Sequence, residues 1–195
     1  METLEEKIAR VVKEEVVVVP YDSIWPEKFE QERLHLLSCL PEDLIGRIEH
    51  FGSTAVPGLP AKPIVDILIE VRSLDETKLR IVPILEAQGY EYFWRPSQGD
   101  ATPPFYAWFI KRDKKGNRTH HIHMIESHFP HWERLLFRDY LVEHQDIAME
   151  YGNLKLRLSG MHQNDRIAYT QAKSDYIRRV TEMARQYYEH KKYWR

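Results

Sequence analysis

The sequence predicts an α+β fold: a small mixed sheet flanked by helices, with a mostly helical C-terminal third. Three observations carry this. Residues 64–71, Ile64-Val65-Asp66-Ile67-Leu68-Ile69-Glu70-Val71, form an almost uninterrupted β-branched and aliphatic run of strand length. Residues 90–94, 105–111 and 118–126 are aromatic or β-branched, and the last two flank Asp113-Lys114-Lys115-Gly116-Asn117, a loop with hairpin chemistry. From His131 onward the apolar residues recur at helical intervals.

Taken in order, Thr3-Leu4-Glu5-Glu6 has capping-box spacing, and Leu4, Ile8, Val11 and Val12 follow at helical intervals. Residues 3–14 are therefore expected to form a short amphipathic helix, with residues 1–15 peripheral to a single domain over 16–195. The run Val16-Val17-Val18-Val19, stopped by Pro20, predicts a strand. Trp25-Pro26 opens a helix expected to bury Phe29, Leu34, Leu37 and Leu40 before Pro41, with Cys39 as a small buried residue. Residues 47–52 fit a strand, and Pro57, Gly58, Pro60 and Pro63 punctuate the connection to the next one. Ser73-Leu74-Asp75-Glu76 repeats the capping box, opening a helix read through Leu79, Val82 and Leu85 to a stop at Gly89. Later come Trp132, Leu135, Leu136, Tyr140 and Leu141, then Ala148, Tyr151, Leu154 and Leu158, and a last helical stretch capped by Asn164.

Bulk properties exclude several classes. Apolar residues make up 43% and charged residues 30% of the 195, an ordinary globular balance. With 28 basic and 30 acidic side chains there is no global field toward nucleic acid or anionic lipid, so any anion site is local. The single cysteine rules out an internal disulfide. The N-terminus lacks the pattern of a signal peptide, and no stretch approaches ~18 apolar residues, so a cytoplasmic protein without a membrane span is expected. The charge-rich tail over residues 185–195, with Tyr187, Tyr188, Tyr193 and Trp194, reads as a helix end rather than a nucleic-acid contact.

Asp66 is the most informative residue. It interrupts an apolar strand, where an ionised carboxylate is costly unless paired, hydrogen-bonded or metal-bound. Alternation puts Asp66, Leu68 and Glu70 on one face and Val65, Ile67, Ile69 and Val71 on the other. Upstream, Gly52-Ser53-Thr54 follows a strand directly, a turn able to aim backbone N–H groups and hydroxyls at a phosphate, although Ser and Thr here also suit a simple helix cap. His121 and His123 alternate with Ile122 and Met124, so both imidazoles share a strand face, close enough for one ion. His50, just before the Gly-Ser turn, is a further candidate as ligand, general base or hydrogen-bond partner of Asp66.

Gly52-Ser53, twelve residues, then Asp66 in an apolar strand resembles the pattern of the nucleotidyltransferase superfamily, in which the turn holds phosphates and the aspartate holds metal. More closely, Glu49-His50-Phe51-Gly52-Ser53-Thr54-Ala55-Val56-Pro57-Gly58-Leu59 with Ala61-Lys62-Pro63-Ile64-Val65-Asp66-Ile67-Leu68 resembles the GrpB-like family of that superfamily. Further similarity lies in Val19-Pro20-Tyr21-Asp22, Trp25-Pro26, His121-Ile122-His123, Phe137-Arg138-Asp139-Tyr140-Leu141, Leu154-Lys155, and Tyr169 with Lys173. It implies a nucleotidyltransferase-like sheet carrying the site, with Lys62, Arg118, Arg138, Lys155 and Lys173 as second-rank phosphate ligands should the helices bring them together. The plain reading of Arg138 and Lys155 is a solvated charge or an ion pair.

One departure stands out: the superfamily pattern asks for a second acidic residue two positions after the first, where this chain has Leu68. Two-metal phosphoryl transfer needs several carboxylates, and Glu70 is only a partial substitute. With imidazoles in the set, Zn, Mn, Ni or Fe is favoured, and Mg is compatible. The expected ligand is a small phosphate-bearing molecule such as a nucleotide. Three readings follow: a metal-dependent nucleotidyltransferase-like enzyme, a non-catalytic nucleotide- or phosphate-binding module of the kind found appended to dephospho-CoA kinase, and a single-metal hydrolase.

Overall fold

The computed structural model describes residues 4–97 and 103–191. By its internal contacts the chain divides into two compact units. One, here the sheet unit, comprises residues 22–55 and 64–135; the other, the helical unit, comprises residues 1–21, 56–63 and 136–195. The Pro- and Gly-rich residues 56–63 belong with the helical unit.

The sheet unit holds five strands, β1 (Ile45–Phe51), β2 (Val65–Val71), β3 (Glu91–Pro96), β4 (Phe105–Arg112) and β5 (Arg118–Ile125), in the order β1-β2-β5-β4-β3. Only β2 and β5 run parallel; the other neighbours are antiparallel, so the sheet is mixed. The β4–β5 hairpin closes as its loop chemistry predicts. Asp113 Oδ1 accepts from the backbone of Lys115 and Asn117, and Gly116 takes the left-handed φ of 85°.

Helix α2 (Trp25–Cys39) belongs to the same unit, but its buried face differs from the expected one. Trp25, Glu32 and Leu36 are buried, while Leu34 and Leu37 are exposed. Glu32 can be buried because it accepts from the Tyr90 hydroxyl at 2.5 Å and from the Lys111 ammonium. Cys39 is only half-buried. Ser73 caps the helix, its Oγ accepting from the Glu76 N–H at 3.2 Å. The helix it opens is interrupted: α3 (Leu74–Glu76) runs into a π turn (Thr77–Ile81) and then α4 (Val82–Glu86). Pro83 lacks the N–H that a regular helix would give Leu79, and the wide turn rotates Thr77 and Ile81 inward. Leu79, expected in the core, is exposed instead.

The helical unit contains α1 (Leu4–Val12), most of α5 (Arg134–Glu143), α6 (Gln145–Met161), α7 (Arg166–Ala172) and α8 (Ser174–Lys191). Its core is Val56, Leu59, Leu136, Tyr140, Leu141, Ala148, Tyr151, Val180, Ala184 and Tyr188. Residues 16–19 do not form a strand. Val19 makes an isolated two-bond bridge with Ala61, and Val16 N–H donates to the Gln163 carbonyl, because Pro20 leaves no room for a longer ladder. Asp165, one residue after the expected Asn164, caps α7 by accepting from the Ala168 N–H at 2.9 Å. Tyr187 and Tyr188 of the C-terminal helix donate to Glu143, which accounts for them within the helical packing; Tyr193 and Trp194 lie outside the described residues. Among the described residues no helix is long and apolar enough to cross a membrane.

Candidate metal and phosphate site

The site is built by strand alternation in the sheet unit. In register, Asp66 of β2 stands beside His121 of β5 on one side and Phe51 of β1 on the other, and Leu68 stands beside His123. His123 in turn pairs with Trp108 of β4. One sheet face therefore presents Phe51, Asp66, His121, His123, Tyr106 and Trp108. Asp66, His121 and His123 offer ligand atoms that all lie within 4.8 Å of one another. Donors around one ion at about 2.0–2.2 Å stand roughly 3–4 Å apart, so small side-chain rotations suffice to gather all three on a cation.

Electrostatics prepare the three groups differently. Asp66 Oδ1 and His121 Nδ1 are 3.1 Å apart, with side chains 28% and 12% exposed, so the carboxylate edge is open to a ligand. Arg118 Nη1 lies 3.4 Å from His121 Nε2, so both ring nitrogens of His121 have a polar neighbour, Asp66 on one side and Arg118 on the other. His123 is buried between the edge of Phe51, at 5.1 Å, and the face of Tyr106, at 5.5 Å. Burial, and then the Arg134 charge, holds its pKa well below the usual imidazole range, which favours the neutral ring, the form with a lone pair available to a cation.

Gly52 is fixed by the site. Its φ is 73°, and a Cβ there would come within 2.5 Å of Asp66 Oδ2. Only glycine supplies both the left-handed backbone and the space. Ser53 opens a single 3-10 turn (Ser53–Ala55) after it. Thr54, expected to face a phosphate, is buried, and its hydroxyl is 3.0 Å from His50 Nε2.

His50 itself is a correction. It pairs with Ile67, one residue out of phase with the Phe51–Asp66 pair, so it points to the opposite sheet face, where it stacks on Phe29 of α2 at 4.8 Å. It is not beside Asp66; it packs on Phe29, and its Nε2 meets the Thr54 hydroxyl of the turn.

Of the basic candidates, only Arg118 joins Asp66 and the histidines in the sheet unit. Arg138, Lys62, Lys155 and Lys173 belong to the helical unit, where Arg138 pairs with Asp139 at 2.6 Å. Lys155 is neither solvated nor ion-paired: it lies on the buried stripe of α6 with Ala148, Tyr151 and Leu158 and is 2% exposed.

Sequence reasoning missed Arg134, His131 and Arg95. Arg134 Nη2 donates to His131 Nε2 at 2.8 Å, and Nη1 lies 3.5 Å from His123 Nδ1. The Asp66 charge acts favourably on Arg134. Burial and the positive charges of Arg134 and Arg95 push His131 down to about 3, so it accepts rather than repels. Arg95 stacks over Trp108 at 4.5 Å, and the Trp108 indole N–H is buried with no partner among the described residues. No local pattern marks these residues: Arg95 reaches the face from β3, and His131 and Arg134 from the stretch that opens α5.

The expected second carboxylate is absent. Leu68 is fully buried, and Glu70 faces Gly46 and pairs with Arg47 at 3.3 Å.

The GrpB protein family profile matches residues 15–183. The chain is 37% identical over 176 residues to the UPF0157 protein YqkA of Bacillus subtilis, covering 90% of this chain and 49% of that protein. It is 34% identical over 168 residues to the glutamate-rich protein GrpB of Alkalihalophilus pseudofirmus, covering 86% of this chain and 94% of that protein. The crystal structure of the conserved protein GrpB from Enterococcus faecalis superimposes with a TM-score of 0.76 at 33% identity, covering 88% of this chain and 99% of that one. The chain thus spans about half the length of YqkA but nearly all of the two GrpB proteins. A profile match over most of the chain, with relatives of this identity and coverage, means that the chain belongs to the GrpB family.

Proposed function

We propose that this chain is a metal-dependent, nucleotidyltransferase-like protein that acts on or binds a nucleotide or another phosphate-bearing small molecule. The observation that carries the reading is the gathering of Asp66, His121 and His123 on one sheet face, with ligand atoms within 4.8 Å, against a glycine whose Cβ would strike the carboxylate. Asp66, His121 and His123 would hold one divalent ion; two imidazoles in the set favour Zn, Mn, Ni or Fe over Mg. Such an ion supplies charge neutralisation and a fixed position to a phosphate oxygen.

The protein's own groups support a phosphate there. Asp66 is the one carboxylate in the cluster, and Arg118, Arg134 and Arg95 surround it, so a cation and an anion are best accommodated together. Arg118 and Arg134 would orient the phosphate oxygens. The unpartnered Trp108 N–H is a donor that a ligand oxygen would satisfy. The Gly52-Ser53 turn would add backbone N–H groups on the Asp66 side.

A second reading has its own support. Leu68 and the engaged Glu70 leave one carboxylate where two-metal transfer uses several, which favours a module that binds a phosphate-bearing ligand without turnover. Equilibrium dialysis with ATP, GTP, CTP and UTP, with and without Mn2+, followed by product analysis, tests both. Binding of at least one nucleotide should require Mn2+ and weaken by at least about tenfold, or 1.4 kcal/mol, in Asp66→Asn. Transfer of the label to an acceptor then marks the enzyme, and binding without product marks the module. Binding indifferent to Mn2+ and to Asp66→Asn contradicts both.

A further inference from the structure

We propose that Lys62, Lys155 and Lys173 form an anion site within the helical unit that takes a compact dianion, such as inorganic phosphate or a phosphomonoester. This inference does not rest on the metal reading of Asp66, because every residue it uses belongs to the helical unit.

Three ammonium groups gather about two aromatic rings there. Lys173 Nζ lies 4.1 Å and Lys62 Nζ 5.6 Å from the centre of the Tyr169 ring. Lys155 Nζ lies 4.7 Å from the centre of the Tyr151 ring and donates to the Pro60 carbonyl, two residues from Lys62. Tyr169 is itself buried. Cation–π contact steadies each ammonium singly but does nothing against their mutual repulsion. The side-chain charges that act on Lys155 are those of Lys173 and Lys62, both positive. In its charged form Lys155 has three N–H donors, and among the described residues the acceptor it meets is the Pro60 carbonyl. A buried amine with donors to spare, whose charged form is opposed by like charges, is a group whose charged form an anion would stabilise. Lysines suit this task because they are compact charges that reorient around a phosphate.

The arrangement predicts a proton linkage. Burial first, then the neighbouring lysine charges, hold Lys155 down at about 6, so it is largely neutral in neutral solution. A bound dianion favours the charged form and raises that value, so binding takes up a proton. The charges that act on Lys155 are those of Lys62 from the loop and Lys173 after α7, and the titratable rings beside the three lysines are Tyr151 of α6 and Tyr169 of α7. Arg166 also acts on Tyr169 and pairs with Glu14 at 3.6 Å. Burial raises Tyr169, and Lys155 is the group positioned to change charge.

The test is calorimetric titration of the whole chain with phosphate and with sulfate, in EDTA, in two buffers of different ionisation enthalpy. Sulfate carries no proton of its own near neutral pH, so any uptake belongs to the protein. Saturable binding is expected, with up to one proton taken up from sulfate solutions. Affinity should fall at least tenfold in Lys173→Ala and in Lys62→Gln, variants at half-buried positions that leave the α6 packing intact, and stay within twofold in His121→Ala/His123→Ala. No saturable binding overturns the proposal, as does binding unaffected by both lysine variants, or binding lost in the histidine variant. Sulfate binding without proton uptake removes Lys155 from the site and overturns it equally.

Discussion

The His121→Ala/His123→Ala double variant is expected to lose its metal. Protein purified without chelator should carry near-stoichiometric transition metal, and elemental analysis should find retention lower by at least about tenfold in the double variant, since even outer partners of metal ligands are worth 10–100-fold in affinity. The size of the effect follows from the small ligand set, Asp66, His121 and His123, of which one carboxylate would remain. His123 is buried against Phe51 and Tyr106, so its truncation also leaves a cavity, and a general loss of packing needs a control. His120→Ala provides it. His120 is comparably buried, but it pairs with Val65 and so lies on the opposite sheet face. It should cost stability and retain metal. Full retention in the double variant, or equal loss in both, contradicts the metal site.

Gly52→Ala should be the most damaging single substitution at the site. Alanine at φ 73° carries the left-handed penalty of about 1–2 kcal/mol, and its Cβ would stand 2.5 Å from Asp66 Oδ2 and 3.1 Å from Asp66 Cβ. Neither contact is tolerable, so the carboxylate or the turn has to move. Thermal unfolding should show Tm lower by roughly 5–10 °C, and metal retention measured on the same protein should fall with it. The clash is with the Asp66 side chain, so the effect of Gly52→Ala should shrink in an Asp66→Ala background, as coupled neighbours do. A Tm within a degree of the parent protein, or strictly additive effects of the two substitutions, contradicts the steric account.

Much of the architecture was legible because it follows from short-range rules. The alternating run over residues 64–71, the loop at Asp113 and the helical spacing after His131 each specify an element without reference to the rest of the chain. Asp66 and the His121/His123 pair were legible for the same reason: period-two alternation decides their face, and the β2–β5 register brings them together. His50 was misassigned because its face depends on the pairing of β1 with β2, and a register displaced by one residue exchanges the faces. Arg134 and His131 were invisible because their proximity to His123 arises from tertiary packing. The helical pattern reads Lys155 as a solvated charge or an ion pair, yet it is buried, and its partner, the Pro60 carbonyl, lies far away in sequence.

The central claim is that Asp66, His121 and His123 hold one divalent ion. The most direct test is diffraction from crystals grown with Mn2+ and a nucleoside triphosphate, with anomalous differences collected for manganese. The account predicts one anomalous peak in coordination contact with Asp66 and both imidazoles, beside ligand phosphate approached by Arg118 or Arg134. Asp66 still hydrogen-bonded to His121, with no anomalous scatterer on that sheet face, would contradict it.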